Sequence, residues 1–241
     1  IANQCDVYSY DEDNKNSIRM ISTATRGVGI NRNLGLQLAR EDIILFADDD
    51  VVYRDGYEHI ILKAYMDLPD ADVIIFDMNR IKNGCEEKSF HHKTGRLRFM
   101  KAMKYGTIVV SARRKAIQRE NINFTTVFGG GSIYGSGEDS LFIRECFRKK
   151  LRIYTYDQVI GTNTNKESTW FQGYNEKYFF DKGAWLACTF GLSRQLMKIY
   201  FTARFFKMTK LNVLQRMRLM NAGIKAFSSL KSYEEWRKEN A

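Results

Sequence analysis

The sequence predicts an α/β protein: a mixed, mostly parallel sheet flanked by helices, followed by a basic helical tail. Three observations carry that expectation. The apolar run at residues 43–46 reads as a strand buried on both faces, and it gives way abruptly to Asp48, Asp49 and Asp50. Tyr57, Ile60, Ile61, Ala64 and Tyr65 then recur at the spacing of an amphipathic helix, and a second apolar strand follows at residues 71–78. Strand, helix and strand joined by short connections make a βαβ unit, so part of the sheet is parallel. Finally, Arg194, Lys198, Arg204, Lys207, Lys210, Arg216, Arg218, Lys225 and Lys231 occur between residues 191 and 231 without one acid. Most of the net charge of +10 lies there and residues 1–190 are nearly balanced, so the basicity is a local device and weak evidence for a nucleic-acid-binding core.

Bulk properties narrow the class. With 44% apolar and 27% charged residues, the chain has the composition of a globular protein, which excludes global disorder. Pro69 is the single proline, so proline-rich linkers are excluded. Cys5, Cys85, Cys146 and Cys188 form no CxxC pair, which argues for a reducing, cytoplasmic setting and against a zinc knuckle. No stretch reaches the ~18 apolar residues of a membrane span. The chain opens on Ile-Ala-Asn-Gln-Cys-Asp without a methionine, and the expectation is a clipped terminus with one strand missing upstream.

Taken in order, residues 1–8 read as a strand, Asp11 to Asn16 as an acidic turn and residues 18–22 as a strand. The turn Thr25-Arg-Gly-Val-Gly29 leads through Asn31-Arg-Asn-Leu-Gly35 into a helix at 36–40, and with Arg26 and Arg32 nearby it can hold an anion or remain a solvated turn. Residues 79–105 loosen into polar sequence. His91 and His92 point in different directions on any regular element and read as loop. A strand at 106–111 and a helix at 113–120 precede a loop with glycines at 129, 130, 131, 135 and 137. That loop runs into Glu138 and Asp139 at the start of a helix (141–149), followed by a strand at 151–159. The aromatics of 176–190 read as packing, whereas Trp170 sits in polar company and can stack on a ring. In the tail, Val213, Met217, Met220, Ile224 and Phe227 repeat at 4, 3, 4, 3, and Ser232 with Glu235 makes a capping box. The domain division expected is 1–190 and 191–241.

Two groups carry chemistry. Three adjacent carboxylates at a strand's carboxyl end fit a hard divalent cation such as Mg²⁺, shared with a diphosphate where open α/β sheets bind ligands. A solvated acidic turn is the alternative. Glu138 and Asp139 open a helix onto a glycine-rich cavity, or simply cap it.

The series Gly29-Ile-Asn-Arg-Asn-Leu-Gly35, Ile43-Ile-Leu-Phe-Ala-Asp-Asp-Asp50 and Gly137-Glu-Asp-Ser-Leu-Phe142 resembles the family 2 glycosyltransferases of GT-A (Rossmann-like) fold, over roughly residues 1–169. The resemblance implies that Asp48 and Asp50 bind Mg²⁺ or Mn²⁺ and the diphosphate of a nucleotide sugar. Asp49 then faces the donor, Arg32 lines the nucleotide side, and Asp139 is the base that deprotonates an acceptor hydroxyl. Glu138 and Trp170 belong to the acceptor side. Asn3-Gln4-Cys5-Asp6 stands where the family has Asp-Asp-Gly-Ser, and no Gln-x-x-Arg-Trp follows Asp139, which implies transfer of one sugar. The expected function is inverting transfer from a UDP-sugar to a glycan or lipid-linked acceptor. Metal-dependent nucleotidyl or phosphoryl transfer is the alternative enzyme, and a non-catalytic membrane-surface or nucleic-acid-binding protein is the third reading. The basic tail is expected to hold a cytoplasmic protein peripherally to an anionic membrane, with Met217, Met220, Ile224 and Phe227 inserting.

Overall fold

The computed structural model describes residues 1–13, 18–82, 84–89, 93–164 and 171–240. They form two compact units: Ile1–Thr25, Ile30–Phe124 and Asp139–Glu167 make the first, and Arg26–Gly29, Thr125–Glu138 and Ser168–Ala241 the second. The expected division after residue 190 runs through the second unit.

The first unit contains β1 (Ala2–Gln4), β2 (Ser9–Asp13), β3 (Ile18–Thr23), α1 (Val28–Leu38, entering from the second unit), β4 (Ile43–Leu45), β5 (Val51–Tyr53), α2 (Tyr57–Asp67), β6 (Val73–Lys82), β7 (Cys85–Lys88), β8 (Gly95–Arg96), α3 (Phe99–Ala102), β9 (Val110–Arg113), α4 (Arg114–Arg119), α5 (Glu138–Arg148) and β10 (Ile153–Asn163). A small sheet runs β1-β3-β2 and a larger one β4-β9-β6-β10-β5. The acidic stretch expected as a turn is partly strand, because Asp11 pairs with Met20 and Asp13 with Ile18.

The larger sheet is mixed, with helices packed on it, as expected. Parallel pairing is less extensive than the sequence implied: among the described residues it joins β1 to β3 and β6 to β10. β9 runs against both its neighbours. The reason is local. Four-residue α3 is too short for a crossover, so the chain re-enters the sheet from the end at which β6 left it. β6 is the central strand, with residues 73–78 all buried. Ile61, Ala64 and Tyr65 of α2 are buried with it in one core, and Leu68 before Pro69 ends that helix.

β4 corrects a second expectation. It is an edge strand of three half-buried residues, not a strand covered on both faces. Five residues later the chain rejoins the sheet as β5 against the end of β10, where Gly161 admits it: a Cβ there would stand 2.7 Å from the Val52 carbonyl oxygen. The acidic triplet lies in the turn between these two strands.

The second unit contains α6 (Glu176–Phe190), α7 (Arg194–Arg204), α8 (Val213–Ala226) and α9 (Tyr233–Asn240). Phe179, Phe180 and Trp185 of α6 are buried, as packing residues should be. The capping box that opens α9 is present: Glu235 N–H donates to Ser232 Oγ at 3.2 Å, and Ser232 N–H to Glu235 Oε2 at 2.8 Å. On α8 the buried residues are Arg216, Leu219, Met220, Gly223 and Ala226, so of the expected stripe only Met220 is fully buried. Close approach of the two backbones sets this face. A Cβ on Gly223 would lie 1.9 Å from the Phe180 carbonyl oxygen, and one on Gly183 2.1 Å from that of Met220, so α6 and α8 meet backbone to backbone. Met220 is therefore closed to a membrane, whereas Met217, Ile224 and Phe227 of the same stripe are half-buried. Gly223→Ala should gain up to ~1 kcal/mol of helix propensity and lose ~1–3 kcal/mol or more to overpacking. A urea titration should show net destabilisation; a more stable variant would mean the helices do not cross here.

Arg216 is 1% exposed with no carboxylate beside it among the described residues. It donates to the carbonyls of Thr202 and Asn212. The first is one of the last carbonyls of α7, where a cation also complements the helix dipole.

Candidate functional site

Helix α1 starts at Val28, eight residues before the expected position, so Arg32 rides on a helix and not on a turn. Its side chain is held from three sides. Nη2 meets Asp48 Oδ1 at 2.9 Å, Nη1 meets Asp139 Oδ1 at 2.6 Å, and the guanidinium lies 5.4 Å from the centroid of the Phe124 ring. The guanidinium is shielded, with 11% of the side chain exposed, while the Asp48 and Asp139 side chains keep 41% and 30% of theirs in contact with solvent. The next residue helps place it: Asn33 Nδ2 donates to the Phe124 carbonyl at 2.9 Å, and Asn33 Oδ1 accepts from the Phe124 N–H at 2.7 Å. Two acids far apart in sequence thus share one guanidinium.

Asp139 sits in the first turn of α5, yet its side chain does not cap that helix. Oδ1 takes Arg32 and the Thr107 hydroxyl, the latter at 2.8 Å. Oδ2 has no hydrogen bond among the described residues and faces Gly106, where a Cβ would stand at 3.2 Å. Gly106 and Thr107 escaped the sequence reading, which put them in a strand. Thr107 belongs instead to a short 3₁₀ turn (Thr107–Val109) ahead of β9, and nothing in its neighbours marks it.

The three acids separate. Asp48 goes to Arg32, and Asp49 is exposed. Asp50 is tied to the end of β10: its carbonyl accepts from the Thr164 N–H and hydroxyl, both at 2.9 Å, and Oδ2 meets Asn163 Nδ2 at 3.5 Å. Its Oδ1 is buried without a partner among the described residues. A carboxylate oxygen taken out of water and left unmatched is costly, and a cation is what would match it. Asp48 and Asp50 therefore fit a hard divalent ion that takes one or two carboxylates and completes its shell with water and phosphate oxygens. Among the described residues there is no cluster of three His, Cys, Asp or Glu that would cage a metal by itself. Close by, Tyr53 donates to the Phe46 carbonyl and stacks on Tyr57, and burial, with Tyr57 and Asp48 adding, pushes its phenol far above the usual range.

The glycine-rich loop belongs to the second unit. Glu138 Oε2 accepts from the Gly137 N–H at 3.0 Å, and its carboxyl lies over Gly129, whose Cβ would come within 2.9 Å of it. Asp181 on α6 anchors the same loop: Oδ2 accepts from Gly135 N–H and from Lys177 Nζ, both at 2.9 Å. Burial raises the pKa of this carboxyl, with Lys177 and the Gly135 bond opposing. Asp181 was read only as part of a packing helix. Trp170, His91 and His92 lie outside the described residues.

A model for the family described as Glycosyl transferase family 2 matches residues 6–137. No curated protein matches the sequence. Solved structures of S. aureus TarS do. TarS 1-349 in complex with UDP-GlcNAc is 16% identical with a TM-score of 0.60, over 94% of this chain and 77% of that one. TarS 1-349 in complex with UDP is 15% identical with a TM-score of 0.56, over 92% and 75%. Against another TarS 1-349 structure the match is 16% identical with a TM-score of 0.51, covering 89% of this chain and 56% of that one. At these identities the likeness shows a shared fold.

Proposed function

The chain belongs to glycosyl transferase family 2, and from that premise we propose that it moves one sugar from a nucleoside diphosphate sugar, a UDP-sugar, to a hydroxyl of a glycan or lipid-linked acceptor, with inversion. The observation that carries this reading is the Arg32 guanidinium shared by Asp48 and Asp139 at 2.9 and 2.6 Å. It joins the acidic turn that suits a diphosphate's counter-ion to the carboxylate that suits an acceptor hydroxyl.

The chemistry follows from where charge develops. The acceptor oxygen bonds to the anomeric carbon as the bond from that carbon to the diphosphate breaks, and the electron pair leaves on the diphosphate. Arg32 faces this charge with a fixed, weakly hydrated cation, and its position between two carboxylates lets phosphate oxygens compete for it. Asp139 receives the acceptor's proton on Oδ2, because Oδ1 is occupied by Arg32 and Thr107. Asp48 and Asp50 would hold Mg²⁺ or Mn²⁺, which when bound neutralises the departing diphosphate. Asp49 lies exposed for contact with the donor, and the family resemblance assigns Glu138 and Trp170 to acceptor binding.

The test is a screen of nucleotide sugars by thermal shift with Mn²⁺, followed by assay of donor hydrolysis without acceptor. Stabilisation by UDP-sugars together with slow release of UDP is expected. Absence of any nucleotide-sugar effect, alongside turnover of a nucleoside triphosphate, would replace this reading by nucleotidyl or phosphoryl transfer.

A further inference from the structure

Helix α7 is inverted over part of its surface. Two of its polar residues, Lys198 and Thr202, are buried, at 8% and 5% exposure, while Leu196, Ile199 and Tyr200 stand 71%, 58% and 50% exposed; Phe201 packs against Trp185. The buried pair is satisfied within the unit: Lys198 Nζ donates to Asn221 Oδ1 at 2.7 Å, and Thr202 Oγ1 to the Lys198 carbonyl at 2.8 Å. The inversion is therefore a settled packing, and it leaves an apolar stripe at i, i+3 and i+4 facing out. The chain on either side extends the stripe with Leu192, Phe206 and Leu214, each at least 64% exposed. Beneath Phe206 lies an apolar groove of about 450 Å³ between α7 and α8, lined by Ile199, Ala203, Val213 and Met217. Scattered exposed apolar residues need no explanation, but a contiguous patch on an inverted helix does.

Arg204, Lys207, Lys210 and Arg218 are exposed around this patch, in a segment without an acid. That charge decides the occupant. A second copy docking its own α7 face would bring these cations against themselves. Nucleic-acid surfaces are polar or present aromatic stacking platforms, whereas this patch is largely aliphatic. An anionic bilayer satisfies both features: its headgroups meet the cations and its acyl layer takes Leu196, Ile199 and Phe206. We propose that the α7 face and the turn that follows it form a docking surface for an anionic lipid membrane. The surface is centred on α7 and shares only Val213 and Met217 with the α8 stripe that periodicity picked out, and it holds the protein without crossing the bilayer, since no helix among the described residues is long and apolar enough to do so.

Co-sedimentation of the full chain with phosphatidylcholine vesicles, with and without phosphatidylglycerol, tests this. Binding should require the anionic lipid, weaken as salt rises, and fall by ~5-fold for each of Lys207 and Lys210 changed to Gln. Leu196→Glu with Ile199→Glu should abolish it, while Met66→Glu, equally exposed on α2, should leave it unchanged. Far-UV circular dichroism establishes that the variants are folded. Equal binding to neutral vesicles, or none to either, overturns the proposal. So does a concentration-dependent dimer that the α7 variants dissolve, which would give the face to a second copy. Vesicle binding is read without turnover, so its failure and failure of the sugar-transfer reading are distinguishable.

Discussion

Asp139→Asn is expected to lower sugar transfer by ~10²- to 10⁴-fold, the usual loss on removing a general base, while donor binding stays near the parental level. Asparagine preserves an oxygen for the Thr107 hydroxyl and for Arg32, so the local fold survives. What it removes is the oxygen beside Gly106 that takes the proton. The discriminating readout is kcat against donor KM. A base acts on kcat, whereas a residue that merely holds Arg32 would show its loss in donor KM. Near-parental kcat would assign Asp139 a structural role and end the catalytic reading.

Asp50→Asn should remove the dependence of UDP binding on metal. At a hundredfold excess over its Kd a ligand stabilises by ~2.7 kcal/mol, which for a chain of this size raises Tm by ~5–11 °C. That shift, measured with UDP and Mn²⁺, should collapse in the variant towards the value seen with chelator. Without ligands the variant should be as stable as the parent or more so, since the amide can supply a donor towards surroundings in which Oδ1 now has no partner. Identical UDP shifts in parent and variant, with and without chelator, would show that Asp50 holds no cation relevant to the donor.

Both predictions concern residues legible without coordinates, and their partners were not. The acidic triplet and the Glu-Asp pair are contiguous strings whose charge is unusual for where they fall, and a strand-to-turn or turn-to-helix junction is visible in local pattern. Gly106, Thr107 and Asn163 are ordinary residues, each placed at the site by a chain segment folded elsewhere. The same limit explains β4. Three apolar residues look alike whether a strand is central or at an edge, because sheet order depends on what pairs beside it. In α8 the periodicity was real, but of the expected stripe only Met220 is fully buried. Gly223 brings the α8 backbone against that of α6, and periodicity of hydrophobic residues cannot register a contact made by the absence of a side chain.

By itself, then, the sequence determined the α/β class, most of the helices, the acidic turn, the Glu-Asp pair at the head of α5 and the basic character of residues 191–231. These follow from local periodicity, charge and punctuation, which act within a few residues. Only the tertiary structure decided that one arginine joins Asp48 to Asp139, that the second unit begins before residue 190, and that α7 turns its apolar side outward. Each of those is a choice among surfaces of similar local composition, made by which faces fit together once backbone and side chains compete for the same space.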